Sequence, residues 1–196
     1  MYYREERLRQ LADRLGFSFS PADDHGLERF LGDFRLATRG ARPAISNVLR
    51  RQEGLSDADL YLFDYSYYER GSKQTVHQSV CFVHSQRLVL PELCLQPETL
   101  LHKLGELFGY TDIDFTRFPK FSKQYRLTGE DEDYIRHHFS DEVLNYFTLN
   151  KGWSVEGIGY YLLLYKKGFL LPPDEVEQLY RRGRDVLELF SSATEC

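Results

Sequence analysis

A chain of 196 residues is long enough to bury a substantial core as a single domain, residues 1–196, without help from disulfides or metals. Hydrophobic residues make up 42% of it and charged residues 28%, which excludes the weakly hydrophobic, highly charged class of disordered chains. Thirty Asp and Glu against 25 Lys and Arg leave a formal charge of −5, which disfavours broad attraction to nucleic acid or anionic lipid while leaving room for a local basic patch.

Taken in chain order, Met1 to Arg7 is charged where a secretory signal would be apolar, so export is not expected. Leu8, Leu11, Ala12 and Leu15 recur at helical spacing and predict an amphipathic helix over 4–15, ended by Gly16. From Ser20 to Pro43 the pattern breaks into Pro, Gly and Asp, and Leu27, Phe30, Leu31 and Phe34 predict at most a short helix or irregular turns. Ile45 to Arg51 reads as a strand. Leu60 to Tyr68 follows, with Tyr61, Phe63, Tyr65 and Tyr67 on one face and Leu60, Leu62, Asp64, Ser66 and Tyr68 on the other. After the turn signal Glu69 to Lys73, Thr75 to His84 predicts the partner strand, and Leu88 to Leu90 before Pro91 a further short one. Together they describe a central meander over about residues 45–91.

Pro97 and Glu98 open a predicted helix over 97–108, with Leu100, Leu101, Leu104, Leu107 and Phe108 on one side. Phe121 to Leu127 alternates as a strand would. Thr128 with Asp131 resembles a capping pair, and the acids from Glu130 to Asp133 suit the start of a helix over 130–147, broken near Ser140. A second hairpin covers about 153–166; its latter strand, Tyr160 to Tyr165, is apolar on both faces and so belongs at a covered, central position. It is also the longest apolar run, far below the roughly 20 residues of a membrane helix. Pro172, Pro173 and Asp174 start a last helix over 173–190, interrupted at Gly183 where another element packs closely. The fold class that follows is α+β, with a largely antiparallel sheet.

No cofactor or metal site is indicated. Cys81, Cys94 and Cys196 are odd in number and lack C-x-x-C spacing, which points to a reducing, cytoplasmic compartment. His77 and His84 fall on opposite faces of one strand, and His137 and His138 lie roughly 100° apart around a helix. Glu98, His102 and Glu106 line one helical face, but no second helix offers a matching Glu-x-x-His. Cys81 and His77 are about 13 Å apart along their strand, out of reach of each other. Two basic clusters stand out: Arg35, Arg39, Arg42, Arg50 and Arg51, and then Arg117, Lys120, Lys123 and Arg126. Phe118, Phe121 and Tyr125 interleave the second, either as a single-strand nucleic-acid platform or as a strand edge guarded by lysines. Tyr65 and Tyr67, near the hairpin tip, are either core or an exposed recognition surface.

Asn47-Val48-Leu49, Leu62-Phe63-Asp64-Tyr65, Leu90-Pro91, Pro97-Glu98, Asp112-Ile113-Asp114-Phe115 and Phe121-Ser122-Lys123-Gln124-Tyr125 stand in an order that resembles a family of bacterial soluble domains of no established activity. Many members carry membrane helices before the domain, which implies a cytoplasmic module with, in this chain, at most indirect membrane association. The expectation is a noncatalytic, intracellular binding or protein-interaction module, with a protein partner or a second copy of itself. The binding candidates are Tyr65, Tyr67, Lys120, Lys123 and Arg126, and no catalytic residue is assigned. Histidine acid/base catalysis is the alternative, and weak nucleic-acid binding through 117–126 a second.

Overall fold

A computed structural model describes residues 2–54, 57–98 and 112–192. Its frame is one eight-stranded antiparallel sheet in the order β1-β2-β3-β4-β8-β7-β5-β6. The strands are β1 (Ser18–Ala22), β2 (Ala41–Glu53), β3 (Ala58–Glu69), β4 (Gln74–Ser85), β5 (Leu90–Pro97), β6 (Tyr125–Gly129), β7 (Ser154–Gly159) and β8 (Tyr161–Tyr165). The helices are α1 (Tyr2–Leu15), α2 (Leu27–Leu31), α3 (Arg35–Thr38), α4 (Pro119–Gln124), α5 (Glu132–His138), α6 (Asp141–Leu149) and α7 (Val176–Ser192). The α+β class and the antiparallel pairing expected from the sequence are both present.

Alternation along β3 sends its residues to two separate cores. Leu60 and Leu62 join Leu49, Cys81, Val83, Leu162 and Leu164 on one face, beneath Leu8 and Leu11 of α1, Phe147 of α6 and Leu179, Leu187 and Phe190 of α7. Phe63, Tyr65 and Tyr67 join Val48, Val80, Phe82, Leu163 and Tyr165 on the other, beneath Leu27, Leu31, Phe34 and Leu36. That second cover is a strap made of α2, α3 and their connections. Gly183 of α7 lies against β4 on the first face, where an added Cβ would come within 2.5 Å of Cys81 Sγ. α1 is held down by a fork from Arg4 to Asp64 (Nε to Oδ2 2.7 Å, Nη2 to Oδ1 2.6 Å), while Arg4 Nη1 reaches the Leu171 carbonyl. Asn47, at positive φ in the β2 irregularity, donates to the same carboxylate at 2.9 Å.

Several expectations are corrected. The meander stops at β4, because the β7–β8 hairpin inserts between β4 and β5, with Val80 opposite Tyr165 and Leu93 opposite Gly157. Pro91 does not end a strand; it lies inside β5, where the register with β7 shifts between Leu90 and Leu93 and a missing N–H breaks no regular ladder. Pro97 is the last residue of β5, and the helix expected over 97–108 falls at 99–108 outside the described residues, as do His102 and Glu106. Phe121 to Gln124 is helical, and only Tyr125 onward is strand. The segment 20–43 contains an edge strand and both strap helices. Asp131, not Thr128, caps α5 by accepting from Tyr134 N, and Ser140 caps α6 by accepting from Val143 N.

Both sheet rims are blunted against strand addition. β1 is five residues long and contains Pro21. On the β6 rim, Ile113 N donates to the Leu127 carbonyl at 2.8 Å and Asp112 accepts from Leu127 N at 3.0 Å.

Candidate functional site

The strap face changes character across the sheet. Following the register, Arg50 stands opposite Tyr61, Tyr61 opposite Phe82, Phe82 opposite Leu163, Leu163 opposite Glu156, Glu156 opposite Cys94 and Cys94 opposite Thr128. The row is aromatic and aliphatic through β3, β4 and β8, then polar through β7, β5 and β6. The strap matches this division. Its leucines and Phe34 cover the apolar half, and Arg35 and Arg39, four residues apart, reach the polar half.

Glu156 is 2% exposed, and a carboxylate so placed needs partners. Tyr165 donates its hydroxyl to Glu156 Oε1 at 2.6 Å, and the Leu36 backbone N–H donates to Oε2 at 3.3 Å. Arg35 Nη1 donates to Thr128 Oγ1 at 2.9 Å. The Arg39 guanidinium lies over the Tyr165 ring, 5.8 Å from its centre. Burial alone would lower the Arg39 pKa, but Tyr165, Glu156, Cys94 and Tyr67 together hold it above the ordinary arginine value. Burial, then Glu156, raises the Tyr165 phenol well above its usual range, and the same two causes push the Cys94 thiol up to about 12. Both groups are therefore neutral at physiological pH, and Glu156 is the carboxylate that faces the Arg39 guanidinium. Arg39, Glu156 and Tyr165 thus meet under the strap.

Histidine offers no comparable convergence among the described residues. His25 meets the edge of Tyr61, His84 stacks on Tyr161, His77 and His137 are exposed, and His138 is buried with Nδ1 2.9 Å from the Tyr134 carbonyl oxygen. No group of three or more His, Cys, Asp or Glu among the described residues is placed to hold a metal ion. Cys81 is fully buried, and burial pushes its thiol up to about 12, so it is a small apolar side chain and not a thiolate nucleophile. A surface groove of about 840 Å³ between α6 and α7 is lined by Glu142, Tyr146, Arg181, Arg184, Asp185 and Glu188 and contains no imidazole.

The sequence-derived binding candidates are placed as follows. Tyr65 and Tyr67 are 2% and 1% exposed, inside the strap-side core; burial pushes the Tyr65 phenol up to about 12. Lys120 and Lys123 are exposed on α4, and Arg126 is half-buried on β6. Phe121 and Tyr125 are core residues, so their rings are not offered to bases. Of the first basic cluster, Arg50 pairs with Asp59 and Arg51 with Glu53.

A different surface escapes the sequence reading. Phe30 (45% exposed), Tyr160 (49%), Val89 (41%) and Tyr134 (37%) are among the exposed large apolar residues. Phe30 contacts Tyr161 with ring centres 5.7 Å apart, Tyr160 begins the same strand end and accepts from Ser85 N, and Tyr134 donates its hydroxyl to the Val89 carbonyl at 3.0 Å. Leu90, next to Val89, stands opposite Gly159, next to Tyr160. The four side chains thus follow one end of the sheet around the β7–β8 turn, from the strap to α5.

No protein-family model matches the chain, and no curated protein matches it significantly. Among the described residues no helix is long and apolar enough to cross a membrane. Among solved structures the fold is similar to the crystal structure of the mycobacterial trehalose monomycolate transport factor A, TtfA, with a TM-score of 0.67 and 12% identity over 96% of this chain and 93% of that one. At that identity the likeness is one of fold alone.

Proposed function

We propose that the chain is a noncatalytic, intracellular interaction module that docks a protein partner along the sheet end marked by Phe30, Tyr160, Val89 and Tyr134. The contiguous run of these half-exposed apolar side chains carries the reading, since aromatic residues at a surface supply large contact area at low entropic cost. Likeness in fold to a transport factor supports a role in assembly over one in chemistry, and the scattered imidazoles support it further. The free, buried thiols of Cys81 and Cys94 fit a reducing compartment.

The test is quantitative affinity purification from the native cell with the wild-type chain and a Phe30→Asp, Tyr160→Asp double variant, alongside light scattering of both. A partner, or a second copy, held by the wild type and lost by at least tenfold in the variant is the expected result. Recovery of no stable partner by the wild type, or equal recovery by both, counts against it.

A further inference from the structure

The β7–β8 turn lies at one end of the sheet, and the opposite end is formed by three connections rich in cations. They are 70–73 between β3 and β4, 149–153 from the last residue of α6 to β7, and 166–170 after β8. Their charged residues are Arg70, Lys73, Lys151, Lys166 and Lys167, with no acid among them. Strand register sets the three side by side. Ser154 stands opposite Tyr165, and just beyond that pair Lys166 Nζ lies 4.9 Å from the centre of the Trp153 ring. On the other side, Gly168 adjoins Val76, where an added Cβ would lie 3.7 Å from Val76 Cγ1, and Lys167 Nζ reaches Glu69 Oε1 at 3.3 Å.

Three apolar side chains stand exposed among these cations: Leu149 (82%), Phe169 (51%) and Leu170 (38%). Phe169 and Leu170 are held out by the backbone. Phe169 N donates to the Lys166 carbonyl at 3.1 Å, closing a tight turn that needs the positive φ of Gly168, and the Phe169 carbonyl accepts from Ser79 N at 3.0 Å. Apolar tips between lysines suit one kind of surface, in which acyl chains lie just beneath a layer of negative charge. Nucleic acid fits less well, because Leu149 and Leu170 cannot stack on bases. Four of the five cations are lysines, point charges that match a diffuse headgroup layer better than bidentate recognition of single phosphates.

We propose that this end of the sheet docks peripherally on an anionic lipid surface, with Leu149, Phe169 and Leu170 dipping between headgroups and the surrounding lysines and Arg70 meeting their phosphates. The formal charge of −5 on the whole chain then orients the molecule, since the surface that attracts this end repels the rest. Phe30 and Tyr160, at the far end of the sheet, face away from the lipid and stay open to a protein partner. The two surfaces are independent, and loss of one leaves the other intact.

Co-sedimentation with vesicles tests this, using phosphatidylcholine alone and an equimolar mixture of phosphatidylcholine and phosphatidylglycerol. The wild-type chain is expected to pellet with the mixed vesicles and not with the neutral ones, and to be released as sodium chloride is added. Combining Arg70→Gln, Lys73→Gln and Lys151→Gln should weaken partitioning on the order of a hundredfold, at about fivefold per cation. Phe169→Ser with Leu170→Ser should weaken it about tenfold. All five side chains are exposed, so neither change reaches the core. A folded wild-type chain that ignores the mixed vesicles overturns the proposal, as does binding that both variants leave unchanged. Binding to soluble polyglutamate as tight as to vesicles, and untouched by Phe169→Ser with Leu170→Ser, overturns it too, by reassigning this end to an acidic protein.

Discussion

The two faces of the sheet are built by different means. On the first, α1, α4, α5, α6 and α7 lay an apolar layer over every strand from β2 to β6, and α7 comes so close that only Gly183 fits beside Cys81. On the second, two helices of five and four residues do the covering. They are too short to hold themselves by helix propagation, so the strap is fixed by four apolar anchors and by polar links to Glu156 and Thr128. Area dominates the helical face, and a few directed contacts dominate the strap face.

That contrast can be broken or sharpened experimentally. Glu156→Ala should have the largest effect, about 3–5 kcal/mol from denaturant unfolding, because it strands the Arg39 charge and the Tyr165 hydroxyl in a buried setting; a loss under about 1 kcal/mol would show that the strap is held by its leucines and Phe34 alone. Next comes alkaline stability. Burial raises the folded Tyr65 phenol to about 12, above its unfolded value near 10. Its contribution is therefore fully present below about pH 10 and is lost as pH rises toward 12, up to about 3 kcal/mol. Tyr65→Phe should flatten the dependence of the urea midpoint over that window; an unchanged slope assigns alkaline unfolding to other groups. On the helical face, Gly183→Ala should cost about 1–3 kcal/mol by overpacking. Cys81→Ala in the same chain should return most of it, since the nearest neighbours of the added Cβ would then be the Cβ of residue 81 at 3.7 Å and Leu60 Cδ2 at 3.9 Å, both ordinary contacts. Failure of that rescue would locate the strain in the α7 backbone.

How much of this was legible in the sequence follows the same division. The helical face writes itself locally: Leu8, Leu11 and Ala12 of α1, Leu179, Leu187 and Phe190 of α7, the Ser140 break and the doubly apolar β8 are all readable from periodicity and capping. The two-faced character of β3 was readable too, although the covering of both faces was not, and Tyr65 and Tyr67 proved to be core. The strap site was not readable, because it depends on register. Leu36 and Glu156 are 120 residues apart, and no local pattern brings them together. Two faint signals existed: an acid inside the otherwise apolar Val155-Glu156-Gly157-Ile158, and the pair Arg35 and Arg39 at one-turn spacing in a stretch that otherwise looks like loop. The α4 segment misled for the opposite reason, since one helical turn running into a strand mimics alternation over so few residues.

The placement of the β7–β8 hairpin has a consequence for the ribosome as well as for the finished protein. β1 to β4 emerge first and can pair among themselves, yet β4 meets its other neighbour only when Tyr161 to Tyr165 has been made. Until then a long, apolar strand end containing Val80, Cys81, Phe82 and Val83 waits unpaired. Closing so distant a pairing is slow, and an open edge of that composition invites the wrong neighbour. The nascent half-sheet is thus the stage at which a chaperone would have most to protect.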